Sequence, residues 1–359
     1  MDLAKPLAYQ GGMKGPLHIT RRLMQRAAER RRRARFARSL RHLHGPSSLD
    51  VQPGEVVLIA LVRNGGYYLD TFFAYYRALG IRHFVFFDNG STDDTIDRIK
   101  AEPGTVIDQS PLPLSGYEDL IRAYPANTYG ADRWCLYVDM DELFDFEGRE
   151  AVGLPGLISY LEGQGATALV AQMLEMFLKA GFREVADWSF EKSVAEFAYF
   201  DISTVDRYDY HAPEIPFSDL LRDNQTTNPE ISFCFGGVRG KVFGENCCLT
   251  KHPLIFNGPG VTPAPHPHLS MGVRCADITG VIRHYKFAGD TLARDAGTLQ
   301  SGAVDHGEDA ARAAVMANAP DVSLFSLEAR RWNRVELLIR AGFLQSSDAY
   351  RAFLEKAGA

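Results

Sequence analysis

Cysteine is scarce in this chain: five residues in 359, at positions 135, 234, 247, 248 and 275. The number is odd, the spacing is scattered and no C-x-x-C occurs. That argues against a disulfide framework and against a zinc pattern, and it suits reduced thiols in a cytosolic protein. No run of about 18 apolar residues is present, so no transmembrane helix is expected. The opening "MDLAKPLAYQGGMKGPLHIT" lacks the basic-then-apolar layout of a signal peptide. Two phosphate-binding fingerprints are missing as well. There is no G-x-x-x-x-G-K-[ST], which disfavours a P-loop nucleotidase. The first apolar strand is followed by "RNGGYY" rather than G-x-G-x-x-G, which disfavours dinucleotide chemistry.

Acidic residues are nearly missing from one segment. Residues 18–44 hold ten arginines and one acid. That segment carries +9, and since the whole chain carries −6, the rest carries −15. Its composition is helical, with Leu23, Ala27, Ala34 and Phe36 among the arginines. A basic helix suits an anionic membrane surface or nucleic acid, or an arm that docks on the acidic body. The apolar stripe is thin, which favours the docked arm. The acidic remainder makes an extended nucleic-acid groove unlikely to form.

Past a linker at 45–48, short apolar runs alternate with helical patterns. Strands are expected over 55–62, 81–88, 104–109 and 133–139, and helices over 67–80, 92–102 and 115–130. Such alternation predicts a mostly parallel α/β sheet, whose ligands bind outside the carboxyl ends of the strands. Arg63-Asn64, Asp88-Asn89 and the acids at 139–142 then project from one edge, which outlines a ligand site. Further on the pattern is mixed. Residues 168–178 fit strand or helix, 231–244 read as strand, glycine turn and strand, and 280–289 read as a strand. Residues 309–317 and 326–344 read as helical. The division expected is a basic, partly helical arm and linker (1–50), a main α/β domain (51–290) and a helical C-terminal extension (291–359).

The stretch "LYVDMDELFDF" ends an apolar run in three acids, Asp139, Asp141 and Glu142. Carboxylates this close repel, so something positive must offset them. A Mg²⁺ or Mn²⁺ ion held by one or two carboxylates and phosphate oxygens is one solution. It would neutralise charge developing on a diphosphate leaving group. A solvated acidic turn is the other.

The stretch "ALVRNGGYYLDTFFAYYRALGIRHFVFFDNGSTDDT" (60–95) resembles the start of family 2-like glycosyltransferases of the GT-A fold, in the branch related to family 92. The resemblance runs on through "VDMDELF", "GGVRGKVFG", "LTKHPLIF" and "RHYKF", and so covers roughly residues 55–290. It implies a GT-A-type, Rossmann-like sandwich. It also implies metal-dependent, inverting transfer of a sugar from a nucleotide-diphosphate donor, most commonly a UDP-sugar, to a hydroxyl acceptor. The acceptor would be a glycan, a lipid-linked glycan or a protein. By resemblance, Asp88 holds the base or ribose, although "DNGS" is also a good turn sequence. Asp139 and Asp141 are the D-x-D, with Asp141 the metal ligand proper and Asp139 near ribose and metal. His284 completes the metal site. Arg63, Asn64, Arg239 and Lys241 are further donor-binding candidates. An inverting transfer needs a base for the acceptor hydroxyl; Glu175 is the first candidate, then His268 and His266. The chain departs from the pattern at Gly65, where the family carries an acid, and this leaves open a nucleotide-sugar-binding module without turnover. A metal-dependent nucleotidyltransferase also places acids at strand ends, but "DNGSTDDT" disfavours it. The expected location is the cytoplasm, with peripheral contact at the inner membrane surface through the arginine-rich arm.

Overall fold

The computed structural model describes residues 16–294, 297, 312, 314–316, 319 and 321–358. The arm forms one helix, α1 (Pro16–Ser39), and leads into a short edge strand, β1 (Arg41–His44). Its docked seam is Glu29, Arg32, Phe36 and Ser39, residues three and four apart on one face. Arg32 grips Asp119 through its two terminal guanidinium nitrogens, at 2.7 and 2.8 Å. Phe36 is buried against Phe87, Leu112 and Ile121, a burial that contributes about 1.5–3 kcal/mol to docking. Residues 22–28 are exposed on every side.

The four early strands form where their apolar runs lie: β2 (Val57–Val62), β3 (His83–Asp88), β4 (Thr105–Gln109) and β5 (Trp134–Tyr137). Between them come α2 (Leu69–Ala78), α3 (Thr95–Ala101) and α4 (Glu118–Tyr129), the last running through Pro125. Alternate residues of β2 feed two cores. Leu58, Ala60 and Val62 meet Phe72, Phe73 and Tyr76 of α2, while Val57 and Ile59 face the side that α4 covers. Helices thus lie on both faces of the sheet.

The chain continues through β6 (Glu142–Asp145), α5 (Arg149–Gly163) and β7 (Ala168–Glu175). After the helix α6 (Phe190–Glu196) come two small strands, β8 (Tyr199–Phe200) and β9 (Val205–Asp209). Then follow α7 (Ser218–Leu221), β10 (Gln225–Thr226), β11 (Ser232–Gly236) and α8 (Gly237–Phe243). The last long strands are β12 (Thr250–Phe256) and β15 (Arg274–His284), with the hairpin β13 (Thr262–His266) and β14 (Leu269–Met271) between them. A two-residue strand β16 (Arg330–Arg331) and helices at Glu336–Arg340 and Asp348–Ala357 follow.

The ten-stranded sheet has the order β1-β4-β3-β2-β5-β12-β7-β15-β10, with β6 paired to β15. It is mixed, and this corrects the expectation of a mostly parallel sheet. β4, β3, β2 and β5 run parallel, as do β7, β15 and β10. β1, β6 and β12 are antiparallel to their neighbours. β6 starts five residues after β5 ends but pairs with β15 rather than with β5, and it meets that strand antiparallel. Two further expectations are corrected. Residues 237–243 are helix rather than strand, because Gly236 and Gly237 take positive φ (77° and 62°) and end β11 sharply. Of 326–344, Arg330 and Arg331 are drawn into pairing with β8, and the helix is confined to Glu336–Arg340. Residues 168–175 resolve as strand. Most of 309–317 lies outside the described residues, and 312 and 314–316 are helical. None of the five cysteines is in a disulfide among the described residues. No helix among the described residues is long and apolar enough to cross a membrane.

Candidate functional site

β2, β3 and β5 lie side by side in parallel, so their carboxyl ends bring Arg63-Asn64, Asp88-Asn89 and the acids at 139–142 to one edge. β15 adds a histidine to them. Register sets His284 opposite Glu142 on β6 and opposite Glu175 on β7.

The acids are offset from within the chain. Lys251 on β12 donates from Nζ to Asp139 Oδ2 at 3.0 Å and to Glu142 Oε1. Arg122 Nη1 of α4 lies 3.9 Å from Asp139 Oδ1. The Asp139 amide donates to Glu142 Oε2 at 3.0 Å. Lys251 and Glu142 are both buried; either alone would be costly, and each makes the other tolerable. Burial works against the Asp139 carboxylate, but Lys251 and then Arg122 overrule it and hold its pKa low. For Glu142 burial wins and the pKa is raised, Lys251 notwithstanding. Burial would lower Lys251, but Asp139 and Glu142 keep it firmly protonated.

His284 stands between two acids. Its Nδ1 donates to Glu175 Oε2 at 3.0 Å, and its Nε2 lies 3.4 Å from Asp141 Oδ2. Burial opposes its charge, yet Glu175 and Asp141 push its pKa up to about 10. Burial likewise opposes the Asp141 charge, and His284 more than reverses it, so the Asp141 carboxyl lies below the usual range. The other Glu175 oxygen takes the Lys286 amide at 3.3 Å.

The remaining candidates are placed as follows. Asp88 is buried, and its carboxylate accepts from Gly90 N (2.8 Å), Ser91 N (3.1 Å) and Gln109 Nε2 (2.9 Å). These bonds build the turn. Asn64 takes φ 52°, a conformation asparagine tolerates, and its Oδ1 accepts from Thr92 N at 2.8 Å, so it ties two edge loops together. Arg63 is exposed. Arg239 is buried against Glu245. Lys241 Nζ is engaged by Asp201 (3.0 Å), Ser326 (3.0 Å) and Glu328 (3.1 Å). His268 Nδ1 faces the Thr250 carbonyl at 3.0 Å and therefore carries the hydrogen; burial and then Lys251 push its pKa well down. His266 Nδ1 accepts from the His268 amide at 3.2 Å.

Beside the acids a narrow cleft opens between α4 and the β13–β14 hairpin. Leu61, Phe87, Ile121 and Pro125 give it apolar walls, and Arg122, Asp139, Lys251 and His266 give it a charged and polar side. Ala264, on the hairpin that covers it, takes φ 42°, a strained value for a residue with a Cβ. Tyr137 Oη lies buried in the wall with no hydrogen-bond partner among the described residues. His252, deeper in, is held neutral by burial, with its pKa lowered to about 4.

Among the described residues no group of three or more His, Cys, Asp or Glu side chains is set to hold a metal ion. Of the three expected ligands, Asp141 and His284 converge, while Asp139 is engaged by Lys251. The 3.4 Å between Asp141 Oδ2 and His284 Nε2 is close to the roughly 3.0 Å that neighbouring ligands of a six-coordinate ion span at bonds near 2.1 Å. An ion at this pair would have to displace the Nε2 proton of His284 and take its remaining ligands from phosphate and water. Sequence reasoning missed Lys251, Arg122 and Tyr137. The available signal was the lone lysine in the strand-like run "TKHPLIF". No protein-family model matches the chain, and no curated protein matches it.

Proposed function

We propose that the chain is a glycosyltransferase that moves a sugar from a nucleoside-diphosphate donor to a hydroxyl acceptor. The observation that carries this reading is one strand edge that brings together an apolar-walled cleft, two cations flanking Asp139 and an acid–histidine pair at Asp141. The apolar walls suit a base, and Arg122 and Lys251 suit an anionic ligand. Asp141 and His284 would hold a Mn²⁺ or Mg²⁺ ion together with phosphate oxygens, and Glu175 would fix the imidazole through Nδ1. Such an ion stabilises the departing diphosphate. On this reading Glu175 is a positioning residue. Of the three candidate bases, His266 is the one that lines the cleft. Inversion, and a UDP-sugar as donor, rest on the resemblance.

Calorimetric titration of UDP and GDP, with Mn²⁺ and with EDTA, tests the reading. Binding of either nucleotide, tightened by Mn²⁺, is expected. A folded protein that binds neither under either condition overturns it. One observation favours a second reading, a binding module without turnover: a Cβ at Gly65 would come within 2.5 Å of Val62 Cγ2. The family's acid therefore cannot be accommodated there unless the Val62 side chain shifts. Nucleotide affinity with neither sugar transfer nor donor hydrolysis would select that reading.

The same proposal puts the enzyme at the cytoplasmic face of an anionic membrane, held by the projecting part of α1. Arg22, Arg26 and Arg30 are exposed there beside Leu23 and Met24, at 58% and 72% exposure. Replacing the three arginines by alanine is expected to lower flotation with phosphatidylserine vesicles at least about tenfold. Unchanged flotation would remove the membrane from the reading.

A further inference from the structure

Resting on the donor-site reading, we propose that Arg122 and Lys251 form a phosphate subsite that works without a metal ion, and that Asp139 occupies it while no donor is bound. The two cations come from different layers, α4 and β12, and meet over one carboxylate. Asp139 Oδ2 lies 3.0 Å from Lys251 Nζ and Oδ1 lies 3.9 Å from Arg122 Nη1. All three side chains line the cleft. A carboxylate bridging two cations marks where an anionic oxygen is stabilised, and a phosphate offers more charge and more acceptors to the same donors.

The fixed and the movable partners can be told apart. Lys251 is held by buried Glu142, and Arg122 is held by Glu118 through a 2.9 Å bond from Nε. Their side chains are 7% and 17% exposed, whereas that of Asp139 is 38% exposed. The cations are preorganised, and the carboxylate is the member with room to leave. When it leaves, Lys251 keeps Glu142 as its counter-charge, because an ammonium has three donors. Tyr137 also lines the cleft, and its hydroxyl has no hydrogen-bond partner among the described residues. Asp141 and His284 do not line the cleft, so the ion site and this subsite are separate halves of one donor site.

The test is titration of UDP and of inorganic pyrophosphate in EDTA, into wild type, Lys251→Met and Asp139→Asn. Wild type is expected to bind both ligands without a divalent ion. Lys251→Met is expected to weaken both at least about tenfold, as loss of one charge-assisted contact does. Asp139→Asn is expected to tighten both severalfold, because the competing anion is gone. A lysine with only a structural role would not produce that gain. Weaker binding in Asp139→Asn, or unchanged binding in Lys251→Met, overturns the subsite. So does wild-type binding that requires Mn²⁺, and in that case the glycosyltransferase reading stands. Absence of nucleotide binding in every condition overturns that reading as well. Where circular dichroism finds Lys251→Met unfolded, Asp139→Asn decides alone.

Discussion

On the proposed glycosyltransferase reading, Asp141→Ala is expected to abolish the Mn²⁺-dependent gain in nucleotide affinity and to slow sugar transfer by about 10²–10³-fold, a loss of several kcal/mol of charge stabilisation. The effect should be functional, with the fold intact. Removing the Asp141 carboxylate leaves His284 bonded to Glu175 at 3.0 Å, so the imidazolium keeps a counter-charge. Affinity in EDTA should survive, because Lys251 and Arg122 remain in place around Asp139. Glu175→Gln tests the supporting role beside it. A glutamine still accepts from Nδ1 but supplies no charge, and loss of such an outer partner typically costs about 10–100-fold in metal affinity. Direct Mn²⁺ titration followed by electron paramagnetic resonance reads both variants. Full Mn²⁺ dependence retained in Asp141→Ala would remove this aspartate, and with it the ion site, from the mechanism.

The parts of the molecule legible in the sequence are those fixed by neighbours along the chain. β2 to β5 each come from a short apolar run closed by a turn, and their parallel alternation with helices put Asp88 and Asp139 at one edge. His284 at the end of its strand was legible for the same reason. What sequence reading could not reach was the counter-charge. Lys251 lies 112 residues from Asp139 in the chain, and β12 reaches the acids only by slotting antiparallel between β5 and β7. No local pattern encodes that insertion, which with β1 and β6 makes the sheet mixed. Asp88 illustrates a different limit. "DNGS" fits a turn and a ligand site equally well, and the geometry shows the carboxylate engaged in the turn. Arg239 and Lys241 looked like free cations beside a glycine turn. Residues 237–243 instead form a helix whose charges are engaged by Glu245, Asp201 and Glu328.

That helix leads to the largest expected effect on stability. Glu245 is fully buried and serves two arginines: Arg239 Nε and Arg312 Nη1 each donate to it at 2.6 Å, one per carboxylate oxygen. Arg312 is itself fully buried. Glu245→Ala removes the carboxylate the two guanidinium groups share, and breaking a buried ionic cluster in this way costs about 3–5 kcal/mol. The loss should appear first where the cluster joins α8 to the chain around Arg312. There Val238, Phe243 and Met316 share one apolar cluster with Phe182 and Phe287. The opposite design separates pairing from packing. Replacing Arg239, Glu245 and Arg312 together by Met, Leu and Met removes all three charges at similar volume, and such exchanges are often neutral or stabilising. Urea unfolding of the two variants therefore should move in different directions from wild type, with the single substitution well below it and the triple substitution at or above it. A single substitution within about 0.5 kcal/mol of wild type would mean that the cluster holds no strain-free pairing worth the burial, and that apolar contacts alone seat α8 beside the site.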